Sequence, residues 1–136
     1  MKRFASFSLA LILALACLIG VVSAATYSSP TITMTSASAF TGTNKGEVDF
    51  DFRITPTRPA DLLGVSSIVV HKPDGSTYTV LGSVGNGFIG SGNGLASTYT
   101  YKGESGKSYY AEVTFFSTVG SVTDSKTVLT RSATAR

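Results

Sequence analysis

Residues 47–54 read EVDFDFRI and are the stretch that decides the fold. Four apolar residues alternate there with charged ones: Val48, Phe50, Phe52 and Ile54. Successive side chains of a β-strand point to opposite faces of its sheet, so a period of two is typical of a strand. One of its faces is expected on a core and the other in water, as in an antiparallel sheet.

Similar short runs, separated by Gly, Pro, Asp and Asn, fill the chain on both sides of this stretch. The predicted strands are residues 31–39, 47–54, 65–72, 77–81, 95–101, 108–117 and 121–130, the first and the last of them at sheet edges. Seven strands in about 100 residues predict an all-β fold, an antiparallel two-sheet sandwich of immunoglobulin type. A small barrel of six or seven strands is the alternative.

The connections are predicted from glycine and proline. Pro56 and Pro59 are expected to take residues 55–64 out of the sheet, because proline cannot donate to a β-ladder. Residues 82–94 contain six glycines and are expected to form one long loop. The residues after 130 are expected to be frayed.

The N-terminus has the pattern of a secretory signal peptide. Lys2 and Arg3 form a positive n-region, residues 4–22 are apolar, and small residues follow. We expect cleavage after Ala24 or Ala25. A membrane anchor is the alternative, since a span needs about 20 apolar residues. The flanks favour cleavage and a secreted, extracellular protein without stable membrane insertion.

Removal of residues 1–24 would leave a single domain, residues 25–136, without cysteine. Cys17 and the residues before it weakly resemble a lipidation site. This cysteine would be removed with the signal peptide. Without Lys2 and Arg3 the eleven basic residues fall to nine against eight acidic ones, a net charge of +1. This balance argues against nucleic acid as a partner.

Residues 106–113 (GKSYYAEV) resemble the penultimate strand of fibronectin type III and related Ig-like domains. In that pattern a tyrosine hydroxyl bonds back across a corner of the sandwich. The resemblance implies that Tyr109 is this corner tyrosine. It also implies that alternate residues after it enter the core: Ala111, Val113 and Phe115. The family's core tryptophan is missing here, and Phe50 and Phe52 are expected to fill its volume.

The layout is also similar to uncharacterised small secreted proteins of Gram-positive bacteria, with a signal peptide, one cysteine-free domain and a final strand near the C-terminus. This second resemblance implies a bacterial, extracellular protein. It implies no catalytic residue and no cofactor.

The sequence offers little catalytic chemistry. His71 is the only histidine, and strand parity places it on a solvent face, away from any nucleophile motif. One imidazole and no thiolate after residue 24 argue against zinc. Glu47, Asp49 and Asp51 form an acidic stripe, interpreted as solvated, with calcium as the alternative. We therefore expect no enzyme, no metal and no cofactor.

Two groups of apolar residues are candidate binding contacts. Phe88 and Ile89 lie in the predicted loop of residues 82–94, where a binding loop would present them; a plain flexible connection is the alternative. Tyr110 and Phe116 would form an exposed aromatic stripe if the opposite face of their strand meets the core. Ordinary cross-strand packing is the alternative there.

These observations predict a secreted, non-enzymatic Ig-like module that binds a cell-surface, matrix or host component, either a surface protein or a glycan. The alternative is a structural subunit that forms a homo-oligomer by pairing its edge strands, residues 31–39 or 121–130. Both are little charged, which suits the addition of a further strand.

Overall fold

The computed structural model describes residues 29–136. The predicted signal peptide, its cleavage site and Cys17 lie outside the described residues. Within residues 29–136 there are nine β-strands, and no helix is long and apolar enough to cross a membrane. The strands are β1 (Ile32–Thr41), β2 (Glu47–Pro56), β3 (Ala60–His71), β4 (Thr77–Leu81), β5 (Ile89–Gly92), β6 (Leu95–Lys102), β7 (Ser108–Val119), β8 (Val122–Leu129) and β9 (Ala133–Thr134).

The strands form two antiparallel sheets. The first sheet has the order β1-β2-β6, and the second has the order β4-β3-β7-β8. Two short strands extend the second sheet, since β5 pairs with β3 and β9 pairs with β7. This arrangement confirms the all-β sandwich, with β1 and β8 at sheet edges. β3 lies inside its sheet. The barrel alternative is wrong, because the two sheets are separate and open.

The core lies between the two sheets and is built from β2, β3 and β7. Its fully or nearly fully buried members include Val48, Phe50, Phe52, Ile54, Leu63, Val65, Ile68, Val70, Ala111, Val113 and Phe115. The apolar face of residues 47–54 is therefore confirmed. The rings of Phe52 and Phe115 pack edge to face across the sandwich, with centroids 6.4 Å apart. Burial of each Val, Leu, Ile or Phe side chain among them stabilises the fold by roughly 1.5–3 kcal/mol.

Tyr109 occupies the corner position that the resemblance implies. Its hydroxyl accepts a hydrogen bond from the backbone N–H of Glu104 at 2.8 Å, and its ring is buried. The residues at alternate positions after Tyr109 are buried on the same face of β7. The inward and outward faces of β7 are thus those predicted.

The expectation that residues 55–64 leave the sheet is wrong. β2 continues to Pro56 and β3 begins at Ala60, so only residues 57–59 connect them. Pro56 is the last residue of its strand and lies at an irregularity in the β1–β2 register, between Ile32 and Met34, and proline is tolerated at such bulges. β1 also continues to Thr41, so the turn that follows it begins later than predicted.

The expectation that the C-terminus is frayed is also wrong. β9 pairs with the start of β7, and Ala135 is buried. The N–H of Gly106 donates to the Ala135 carbonyl at 2.9 Å, and the N–H of Gly46 donates to the Arg136 carbonyl at 2.6 Å. Residues 133–136, here called the C-terminal clasp, therefore tie the turn before β7 to the turn before β2.

Candidate functional site

Phe88 is part of the core. It is 4% exposed, and its ring packs edge to face against Phe52, with centroids 5.1 Å apart. Its carbonyl accepts a hydrogen bond from the N–H of Val65 at 2.8 Å. Ile89 begins β5 and is half-buried. The expectation that a loop presents Phe88 to a partner is therefore wrong, because the ring is buried and the residues after it pair with β3. A binding role of Ile89 stays a prediction.

The remainder of residues 82–94 includes an ordered turn held by Asn86. Its Oδ1 accepts hydrogen bonds from the N–H groups of Ser83 at 2.9 Å and Phe88 at 3.2 Å. Its Nδ2 donates to the carbonyl of Leu81 at 2.9 Å. Val84 in this turn and Leu81 at the end of β4 are exposed aliphatic side chains that the sequence reasoning missed, at 72% and 71%. The Asn-Gly pair at residues 86–87 is the sequence signal for such a turn.

Tyr110 lies on the outer face of the second sheet, as predicted, but it is half-buried rather than freely exposed. Its ring stacks on the imidazole of His71 with centroids 4.4 Å apart and planes 4° apart. Nε2 of His71 lies 3.0 Å from Oε2 of Glu112. His71 is on the outer face that strand parity predicts, and the fold brings it together with an aromatic ring and a carboxylate.

Phe116 shares the outer face and is also half-buried. It lies opposite Gly64 of β3 in the strand register. Gly64 has a φ of 146°, and a Cβ there would meet the Phe88 backbone. A side chain at this position is therefore excluded.

The registers place the outward side chains of four strands on one surface, which we call the neutral face. It consists of Leu62, Gly64, Ser67, Val69, His71, Thr77, Thr79, Leu81, Tyr110, Glu112, Thr114, Phe116, Thr118, Thr123, Ser125, Thr127 and Leu129. Its hydroxyls pair across strands, at 3.0 Å between Thr114 and Thr127 and 2.7 Å between Thr118 and Thr123. Among these residues the only acid and the only base, Glu112 and His71, contact each other.

The outer face of the first sheet differs from the neutral face in its charge. Its charged members are Glu47, Asp49, Asp51, Arg53 and Lys102. Asp51 accepts a hydrogen bond from Oγ1 of Thr98 and Asp49 accepts one from Oγ1 of Thr100, both at 2.6 Å. Across residues 29–136 no group of three or more His, Cys, Asp and Glu side chains is arranged to hold a metal ion.

Tyr99 and Tyr101 lie on the inward side of β6. The ring of Tyr101 lies 5.3 Å from that of Tyr109 and 5.8 Å from that of Tyr78, centroid to centroid. Burial raises the pKa of Tyr99 above its ordinary value, and the neighbouring Tyr78 and Tyr101 raise it further. These rings close one side of the sandwich and belong to neither outer face.

The candidate site is therefore the neutral face, with the contact of His71, Tyr110 and Glu112 near one end and exposed leucines at its borders. In a comparison with protein-family models, curated proteins and solved structures, the chain matched none of them.

Proposed function

We propose that this chain is a secreted, non-enzymatic module of fibronectin type III-like architecture that binds a cell-surface, matrix or host component through the neutral face. The strand order and the corner tyrosine support the architecture. The composition of the neutral face supports binding.

The observation that carries the proposal is that the two outer faces differ in their number of charged side chains. A sheet face in contact only with water usually carries charged side chains, and the first sheet has five of them. The neutral face covers four strands and has one acid and one base, which contact each other. Centres of protein interfaces are likewise depleted in charge and enriched in aromatic residues.

The neutral face favours a protein partner over a glycan. Aliphatic side chains stand at its borders, with Leu81 71% and Leu129 60% exposed. Apolar patches of this kind are typical of protein interaction sites. The chain has no tryptophan, the residue on which flat sugar-binding platforms rely. Rows of threonine hydroxyls supply hydrogen-bonding groups without charge.

A retention assay tests the proposal with two matched variants. The labelled full chain is incubated with intact cells, purified cell wall, polysaccharides and mucin. Thr127 on the neutral face and Thr98 on the first sheet are both exposed and both hydrogen-bonded to a cross-strand side chain. We expect Thr127→Lys to abolish retention and Thr98→Lys to preserve it. Equal effects of the two variants, or no retention of the parent chain on any material, would contradict the proposal.

Protease treatment of the cells separates the two partner classes. Loss of retention after the treatment supports a protein partner. If retention survives the protease but is competed by a soluble polysaccharide, the partner is a glycan and not a protein. The self-associating subunit remains the alternative function, and the edge strand β1 favours it.

A further inference from the structure

β1 differs from the other edge strands of the two sheets. It has ten residues, ITMTSASAFT, and no charged side chain. β4 is uncharged but has only five residues, and β6 ends in Lys102. β8 carries Asp124 and Lys126 opposite inward residues of β7, and inward charges on an edge discourage further pairing. β1 has neither the charge nor the shortness that protects an edge.

The free edge of β1 offers backbone hydrogen-bonding groups to a further strand. The N–H of Gly42 donates to the carbonyl of Glu47 at 2.9 Å, at the end of the β1–β2 hairpin. Antiparallel pairs alternate between bonded and non-bonded positions, so the even positions of β1 bond toward β2. The backbone N–H and C=O groups of Thr35, Ala37 and Ala39 therefore point away from β2, toward the free edge.

A groove runs beside these residues. Ala37, Ala39 and Phe40 line it from β1, and Leu129 and Arg131 line it from the end of β8. The small alanines leave space for another backbone to approach the edge. Leu129, which is largely exposed, would be covered by a strand in this groove.

The outward side chains of β1 are symmetric about Ala37. Met34 and Phe40 lie three positions on either side of it and are 48% and 52% exposed, with Ser36 and Ser38 between them. They are the two large apolar side chains that β1 exposes to solvent. An antiparallel strand of the same sequence, centred on Ala37, would place each of them opposite the other.

We propose that two copies of this chain associate by antiparallel pairing of their β1 strands, with Ala37 on the two-fold axis. Met34 of each copy then contacts Phe40 of the other, a favourable sulfur–aromatic pair. The two first sheets join into one six-stranded sheet in the order β6-β2-β1-β1-β2-β6. The interface is isologous, as two-fold dimers require.

The charges of the first sheet do not oppose a second copy as the occupant of this edge. β1 brings no charge against β1 of the other copy. Within the joined sheet the nearest charged strands are the two copies of β2, which would lie three strand spacings apart, about 14 Å. That distance exceeds the Debye length of about 8 Å at physiological ionic strength, so their like charges are largely screened from each other. Outside that sheet, Arg131 of each copy lines the groove beside β1.

A charge-pairing experiment tests the register, using sedimentation velocity of the full chain over a wide concentration range. We expect a concentration-dependent dimer. The double variant Met34→Lys, Phe40→Lys places like charges opposite each other at both positions and is expected to be monomeric. Met34→Glu, Phe40→Lys removes the same apolar groups but places opposite charges together, and it is expected to dimerise again. Equal behaviour of the two double variants would overturn the register.

A crosslinking experiment tests the axis independently of affinity. Opposed residues in an antiparallel pair have Cα atoms about 5.5 Å apart, within the range of a disulfide. The two copies of residue 37 would be opposed in this way, whereas the two copies of residue 39 would be more than about 13 Å apart. Both alanines are half-buried on the same side of β1.

We expect Ala37→Cys to give a disulfide-linked dimer under mild oxidation and Ala39→Cys not to do so. Both variants carry Cys17, so a bridge through that residue would appear equally in both. A chain that stays monomeric at every concentration, with no more crosslinking at residue 37 than at residue 39, would overturn the proposal.

Discussion

The hydroxyl of Tyr109 accepts a hydrogen bond of 2.8 Å from the backbone N–H of Glu104, five residues earlier. The ring also lies against Gly103, where an added Cβ would come within 2.6 Å of the hydroxyl oxygen. This one side chain thus fixes the turn between β6 and β7. It also packs against Tyr101 of the first sheet, so the turn is tied to both layers of the sandwich.

Replacing Tyr109 by phenylalanine tests the hydrogen bond. The ring stays and the acceptor is lost, so we expect the free energy of unfolding to fall by about 1 kcal/mol. Urea unfolding measures it. Tyr110→Phe is the control, because that ring stacks on His71 at the outer face. Equal losses in the two variants would show that the corner bond contributes nothing specific.

Gly103→Ala tests the close approach of the ring. The added methyl group would collide with Tyr109, so either the ring or the turn must move. We expect a loss of roughly 1–3 kcal/mol, the usual cost of overpacking. In the double variant Gly103→Ala, Tyr109→Ala the clash is absent, and the two losses should not add. Additive losses in urea unfolding would contradict this explanation.

Phe88→Ala tests whether this residue belongs to the core or to a binding loop. Its ring is buried against Phe52, and removal of a buried phenylalanine costs roughly 3–5 kcal/mol. Val84→Ala, in the same segment but 72% exposed, is expected to change stability by less than about 0.5 kcal/mol. Thermal or urea unfolding checks both. A stable Phe88→Ala variant would place the ring outside the core.

Deletion of the C-terminal clasp, residues 133–136, tests whether the last residues are structural. The deletion removes β9, the buried Ala135 and the hydrogen bonds to Gly46 and Gly106. At about 0.5–1.5 kcal/mol for each hydrogen bond, we expect a loss of roughly 2–4 kcal/mol in urea unfolding. Arg136→Ala keeps the backbone bonds and is the control. Unchanged stability of the deleted chain would mean that the end is frayed in solution.

Stability is expected to fall at alkaline pH because of Tyr99. Burial raises the pKa of its hydroxyl above the ordinary value of 10.0. Above that pH the unfolded chain ionises this tyrosine while the folded chain keeps it neutral, so the folded state binds more protons there and stability falls as pH rises. Urea midpoints measured from neutral to alkaline pH should fall less steeply in Tyr99→Phe. An identical slope in the parent chain would contradict the prediction.

The alternation of apolar and polar residues was sufficient to predict which side chains of a single strand are buried. The alternation of residues 47–54 predicted which of their side chains enter the core, because the period of two is a property of the backbone. For β7 the resemblance of residues 106–113 to fibronectin type III domains implied the inward face. Pro56 shows the limit of such reasoning. A proline excludes a strand only where its missing N–H would be needed, and whether it is needed depends on the strand's partner.

Other features of the structure depend on contacts between segments that are far apart in the sequence. Phe88 stands among glycines and has no local signal for burial, yet the second sheet gives it a place beside Phe52. The C-terminal clasp depends on turns about 30 and 90 residues earlier in the chain. The neutral face exists only because β3, β4, β7 and β8 meet in one register.

The sequence by itself determined the all-β class, the apolar face of β2 and the uncharged character of β1, since each follows from the order of residues within short segments. Only the tertiary structure decided that Phe88 is core, that residues 133–136 are paired, and that His71, Tyr110 and Glu112 meet on a face without other charges. The physical reason is that these features depend on strand register. Register depends on which faces of two strands are buried together and on the turn that joins them, and β3, β7 and the C-terminal clasp meet partners far away in the chain.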